Sequence, residues 1–163
     1  MPMIDVYAAA DLFPANADRR LAAELTAALL RAEGVVSPGP THTNNTGAYI
    51  HRLPPDAVNT AAEGNARTVR VQVLTPPGVL TREAQKQLVA EVTQIVSRIA
   101  GDPSQAHRTW VLLTEAAEGG WGITARHLAT RSSQRSRRRR RRYRYDRQQE
   151  LRSHGIRHAV QQT

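Results

Sequence analysis

The chain has 163 residues and a formal net charge of +9 that is unevenly spread: residues 131–163 hold twelve Arg against Asp146 and Glu150, and residues 1–130 hold eleven Lys and Arg against twelve acids. That length fits one domain with a real core, and the isoelectric point of about 11.2 describes the tail rather than the body. With no cysteine, disulfides and thiolate metal sites are excluded, no run nears the roughly 18 apolar residues of a membrane span, and the expectation is a cytoplasmic protein without a secretion signal.

The first segment, Met3 to Tyr7, alternates as a strand does. Residues 17–32 then carry Leu21, Leu25, Ala28, Leu29 and Ala32 at the spacing of one helix face, and Gly34 supplies the left-handed residue on which helices often close. A loop rich in Pro, Thr and Asn leads to a short strand over residues 48–53, stopped by Pro54-Pro55. Residues 56–66 are small and polar and read as a connector. The pattern then recurs. The stretch TVRVQVL from Thr68 is valine-rich and alternating, and residues 82–100 place Leu88, Val92, Ile95, Val96 and Ile99 on one helix face. Thr81 is the predicted N-cap and Gly101 the stop. TWVLLTE, residues 109–115, closes the second copy as a strand, and Gly119-Gly120 marks a turn.

The two helices align at an offset of 67 residues, matching Leu21 with Leu88, Glu24 with Glu91, Thr26 with Thr93, Arg31 with Arg98 and Gly34 with Gly101. Amphipathic spacing alone explains shared leucines, but not shared Glu, Thr, Arg and Gly in register. The same offset sets Pro2 opposite Val69 and Met3 opposite Arg70. Proline is tolerated at the first residue of a strand because its missing N–H costs little there. Removal of Met1 would also make Pro2 the terminus, and its secondary amine a proton acceptor that no internal residue supplies. A copy that cannot be a terminus has no use for that proline, and the second copy has Val69.

Pro2 after Met1, a duplicated βαβ unit and the stretch WVLLTEAAEGGWGI, residues 110–123, together resemble the tautomerase superfamily, whose simplest member is 4-oxalocrotonate tautomerase. The resemblance covers residues 2 to about 125 and implies an α+β, tautomerase/MIF-like fold of tandem βαβ repeats, the first over about 2–55 and the second over about 68–124, within a domain of residues 1–126. The length resembles that of the fused long form and implies a homotrimer. It implies a tautomerase (isomerase) acting without metal or cofactor on a small carboxylated keto or enol compound. An α-amino group has a pKa near 7.7–8.0, and burial disfavours the ammonium, so Pro2 would be a general base poised near neutrality. Decarboxylases and dehalogenase-like hydratases of the superfamily use a protonated proline instead.

The arginines with which the simplest members hold carboxylates have no counterpart in the matching turns, DLFPANAD and TPPGVLTR, or at Thr109 and Trp110. Arg70, opposite Met3 in the repeat, is the first replacement and is expected near Pro2. Asn44 and Asn45 offer amide donors, and alternation sends one of His51 and Arg52 to solvent. Glu115 matches the family's strand-end carboxylate, and Trp121 resembles its aromatic wall beside the proline. The predicted site is therefore Pro2 as catalyst with Arg70, Asn45, Glu115 and Trp121 binding substrate. The six histidines show no HxH or HExxH spacing, so no metal is expected.

Residues 127–163 break with this pattern. Like charges in blocks repel, so the segment is expected to be disordered, and Arg interleaved with Tyr over residues 131–157 can bind nucleic acid nonspecifically through phosphates and stacking. A protein acting through this arm is the alternative to an enzyme.

Overall fold

In the computed structural model, β1 (Met3–Ala9) buries Ile4, Val6 and Ala8 and leaves the intervening residues on the other face. The structure describes residues 2–62, 64 and 66–122 and the backbone of 123 and 126–127. α1 (Asp18–Ala32) returns along the sheet with Leu21, Leu25, Ala28 and Leu29 buried, and Gly34 follows it at φ 78°. The Pro- and Asn-rich loop contains one helical turn, α2 (Pro40–Thr43), which the sequence reading passes over. Gly39 is extended before it and Pro40, with φ already set for a helix, starts it, but four residues are too few to show periodicity. β2 (Gly47–Leu53) ends the first copy.

The second copy repeats the order. β3 (Val69–Thr75) is followed by α3 (Arg82–Ala100), capped where expected: the Thr81 hydroxyl accepts from Ala84 N at 3.1 Å and Gly101 takes φ 70°. A 3-10 turn over Pro103–Arg108 then enters β4 (Thr109–Glu115). Contacts divide the chain into Met1–Ala117 and Glu118–Thr163. Within the second unit β5 (Gly122–Ile123) pairs antiparallel with β6 (Arg126–His127). The expected tail of residues 127–163 and its nucleic-acid contact over 131–157 lie outside the described residues, apart from the backbone of His127. No helix among the described residues is long and apolar enough to cross a membrane.

The four strands order as β2-β1-β3-β4. Each copy is a parallel βαβ unit, β1 with β2 and β3 with β4, and the copies meet antiparallel along β1 and β3. The register sets Ile4 against Val73, Asp5 against Gln72 and Val6 against Val71. Asp5 and Gln72 are themselves 67 residues apart, so the pseudo-two-fold axis relating the copies passes between them. Both helices cover one face of the sheet, and Ile4, Val6, Leu21, Leu25, Val71, Val73, Leu88 and Val92 form its shared interior.

This symmetry explains the polar residues that recur in the repeat. Arg31 pairs with Glu91, and Arg98 with Glu24, so one interhelical ion pair is written twice with its partners exchanged. Glu24 also accepts from Arg20 at 2.9 Å. On β2, Arg52 lies on the helix side, donating to both carboxylate oxygens of Asp18 and to the carbonyls of Ala10, Phe13 and Pro14 at 2.6–3.2 Å. It thereby ties the β1–α1 loop to α1. His51 lies on the uncovered face.

Two outcomes follow. Replacing Arg52 with Met leaves three carbonyls and Asp18 without this donor and should cost about 2–3 kcal/mol in urea unfolding; a loss below about 0.5 kcal/mol would show the cage to be dispensable. The donors Arg98 and Arg20 hold the Glu24 carboxyl down at about 2, against an ordinary 4.5. A depressed acid stabilises the fold above its unfolded pKa, and this contribution is lost as pH falls from about 4.5 toward about 2. Glu24→Gln should flatten that part of the stability-against-pH curve.

Candidate functional site

Pro2 is buried, and its carbonyl accepts from Gly47 N at 3.3 Å, so the start of β1 is bound to the start of β2. Because β1 and β3 are antiparallel, β3 ends where β1 begins: Met3 faces Leu74, which puts Pro2 and Thr75, the next residue on each side, at the same end of the sheet. Thr75 is buried and pairs with Glu115, the last residue of β4. Ala116 N donates to the Thr75 carbonyl at 2.9 Å, clasping the end of β4 to β3. Pro2, Thr75 and Glu115 thus share one end of the sheet, with Glu115 two strands, about 10 Å, from Pro2.

Asn45 lies two residues before Gly47 at that end, but its amide donates to the Thr41 carbonyl at 2.7 Å. The side chain thereby closes the α2 turn, the usual habit of Asn in loops. Asn44 is the C-cap residue of α2.

Arg70 is not near Pro2 within the chain, which corrects the expectation drawn from the repeat. Matching Arg70 with Met3 states equivalence under a two-fold axis, and equivalents on antiparallel strands lie at opposite ends. The residue facing Arg70 is Tyr7, roughly 16 Å along β1 from Pro2. There the Arg70 guanidinium stands 5.1 Å from the centre of the Tyr7 ring and donates to Gln72 Oε1 at 3.2 Å. Tyr7 stacks on His51 with centroids 4.3 Å apart, and His51 Nε2 lies 2.7 Å from Asp5 Oδ1. Gln72 extends the line to the Thr114 hydroxyl at 3.0 Å. Trp121 belongs to the second unit, directly before β5, and is partly buried there.

One residue at the Pro2 end escapes the sequence reading. Glu33 is the C-cap residue of α1, and α1 runs back to the end at which β1 starts. Its Oε1 is buried without a hydrogen-bond partner. Burial pushes its carboxyl above the ordinary range, and the positive charge of the chain's N-terminus pulls it back. The signal available in sequence was an acid at a helix C-terminus, where the macrodipole favours cations.

The arrangement has the parts of a proton-transfer site: a buried residue whose nitrogen becomes a secondary amine if it is the terminus, and a half-buried carboxyl with one buried, unbonded oxygen on the element returning to it.

A family model described as tautomerase enzyme matches residues 69–131. No curated protein matches the chain. Among solved structures, Pt0534 inactivated by 2-oxo-3-pentynoate is 19% identical with a TM-score of 0.63, covering 76% of this chain and 93% of its own. The R7 fused 4-OT wild-type asymmetric trimer is 15% identical with a TM-score of 0.63, covering 77% of this chain and 94% of its own. N1, a member of the cis-3-chloroacrylic acid dehalogenase family, is 16% identical with a TM-score of 0.62, covering 82% and 88%.

Proposed function

We propose that the chain belongs to the tautomerase superfamily, whose family model matches residues 69–131, and that it is an isomerase moving a proton within a small carboxylated keto or enol compound. Pro2, made N-terminal by removal of Met1, is its general base. The observation that carries this reading is the burial of Pro2 at the start of a central strand, in a sheet whose second copy has Val69 at the equivalent position. Burial disfavours the ammonium, keeping the amine partly unprotonated near neutral pH. The amine takes a proton from the carbon alpha to the carbonyl, the electron pair moves to the carbonyl oxygen, and the ammonium returns the proton at the new position.

Substrate contacts follow from the same reading. Glu115 and Asn45, at the Pro2 end, border the substrate. Trp121 is assigned the aromatic wall on the resemblance of Gly120-Trp121-Gly122 alone. Arg70, distant from Pro2 in its own chain, anchors a carboxylate only from a neighbouring subunit. A homotrimer supports that role: the fused 4-OT relative is a trimer, and here the face of the sheet away from the helices exposes Tyr49, Trp110 and Leu112 by 53%, 50% and 41%. Residues 131–157 are kept as a nonspecific nucleic-acid contact, and a cytoplasmic location suits a chain without cysteine.

The Glu33 carboxyl favours a second reading, in which Pro2 stays protonated and acts as the acid of a decarboxylase or hydratase. The pH profile separates them. Activity of a base rises with pH through the Pro2 pKa, and activity of an acid falls.

Pro2→Ala should lower kcat/KM for phenylenolpyruvate ketonisation by about 10²–10⁴-fold with an unchanged circular dichroism spectrum. 2-Oxo-3-pentynoate should add one reagent mass at Pro2. Undiminished turnover in Pro2→Ala rules out the base. Leu112→Glu should reduce the trimer to smaller species in light scattering while the monomer stays folded; an unchanged mass would move the interface elsewhere.

A further inference from the structure

Glu33 sits where a carboxylate is disfavoured on three counts. It caps the C-terminus of α1, where unpaired carbonyls gather negative potential. It is half-buried, and the partial loss of water raises the free energy of the charged form. Its Oε1 has no hydrogen-bond donor. An acid in such surroundings calls for an offsetting cation or reacting group.

The fold supplies one candidate. β1 leaves Pro2, α1 returns antiparallel to it, and Glu33 comes back to the end where β1 began. The N-terminal positive charge is felt at Glu33, and removal of Met1 transfers that charge to the Pro2 nitrogen. Other charged or titratable groups on the elements meeting here are otherwise engaged or lie on separate strands and turns. Arg31 is held by Glu91, and Glu83 lies 3.8 Å from Lys86. Asp5 is bonded to His51 at 2.7 Å. His42 is on α2, Arg82 begins α3 and Glu115 ends β4.

The repeat adds an independent observation. At the offset of 67 residues, Val69 stands for Pro2 and Ala100 for Glu33. The copy without the amine is also without the acid, although its helix keeps the paired Glu91 and Arg98.

We infer that Glu33 is the positioning residue for Pro2, its carboxylate accepting the N–H of the secondary amine. This rests on Pro2 being the catalytic base and deepens that reading. A neutral secondary amine has one N–H and one lone pair, so committing the N–H to Glu33 aims the lone pair away from Glu33, at substrate. When the lone pair takes the substrate proton, the ammonium has two N–H groups, one still on Glu33 and one carrying the proton to be returned. Protons and electron pairs balance within substrate and Pro2, and Glu33 neither gains nor loses a proton.

The experiment uses the full chain labelled with ¹⁵N-proline, its mature N-terminus verified by intact mass. The Pro2 nitrogen is titrated by NMR in the wild type, Glu33→Gln and Glu33→Asp, alongside kcat and KM against pH. Glu33→Gln removes the anion and should lower the amine pKa by about one unit, with kcat falling about tenfold or more and KM changing little. Glu33→Asp should return part of both. An unchanged Pro2 titration in Glu33→Gln overturns the inference, as does retention of Met1. Should Glu33→Gln fail to fold, Glu33→Ala takes its place, with the same lowered Pro2 titration expected and an unchanged one overturning the inference. If the titration shifts as stated but the wild type turns over no enol or keto acid, the isomerase reading fails and the Glu33–Pro2 pairing stands.

Discussion

The antiparallel pairing of β1 with β3 governs the rest of the molecule. Its register centres on Asp5 and Gln72, which occupy equivalent places in the two copies, so one copy is turned end for end against the other. That rotation makes Arg31–Glu91 and Glu24–Arg98 reciprocal. It also carries the ends of β3 and β4 to the start of β1. Shifting the pairing by one residue would send the buried pair of one strand, Ile4 and Val6 or Val71 and Val73, from the core to the open face, so burial of these side chains holds the register and, through it, the geometry at Pro2.

Symmetry of the scaffold and asymmetry of the site are two results of the same duplication. Helix faces, caps and ion pairs are retained in both copies because each buries the same interface. The strand starts diverge, with Pro2 in one copy where Val69 stands in the other. Val69 is fully buried and packs as an ordinary core residue, and Pro2, at the same point of the other copy, is buried as well. One scaffold with two equivalent ends therefore has a candidate proton-transfer group at one of them.

The face of the sheet away from the helices is crossed by a line of contacts from Asp5 through His51, Tyr7, Arg70 and Gln72 to Thr114, touching all four strands. Aromatic stacking, cation–π contact and hydrogen bonds satisfy the polar groups there without an apolar layer above them. Tyr49, Trp110 and Leu112 interrupt this polar surface with exposed apolar area. Large exposed apolar side chains on one sheet face mark interaction surfaces, which fits a sheet face that packs against other copies.

Much of this was legible in the residues themselves, because the forces involved are local. Helix α3 begins and ends where Thr81 and Gly101 say it should, since capping and positive φ depend on one or two residues. The strands follow from alternation, and the duplication from polar residues recurring in register. α2 was not legible, since a single turn started by Pro40 leaves no period to detect. The sequence by itself determined two βαβ units and a proline at a strand start. Direction between the units was left to tertiary structure: equivalence in a repeat carries no sign, and whether copies meet parallel or antiparallel depends on which arrangement buries both helix faces on one sheet. That choice set Arg70 at the far end, beside Tyr7. Within the first copy, Asn45 closes its own turn and the return of α1 brings Glu33 back to the end where β1 starts, because proximity is decided by the direction of the elements and not by distance along the chain.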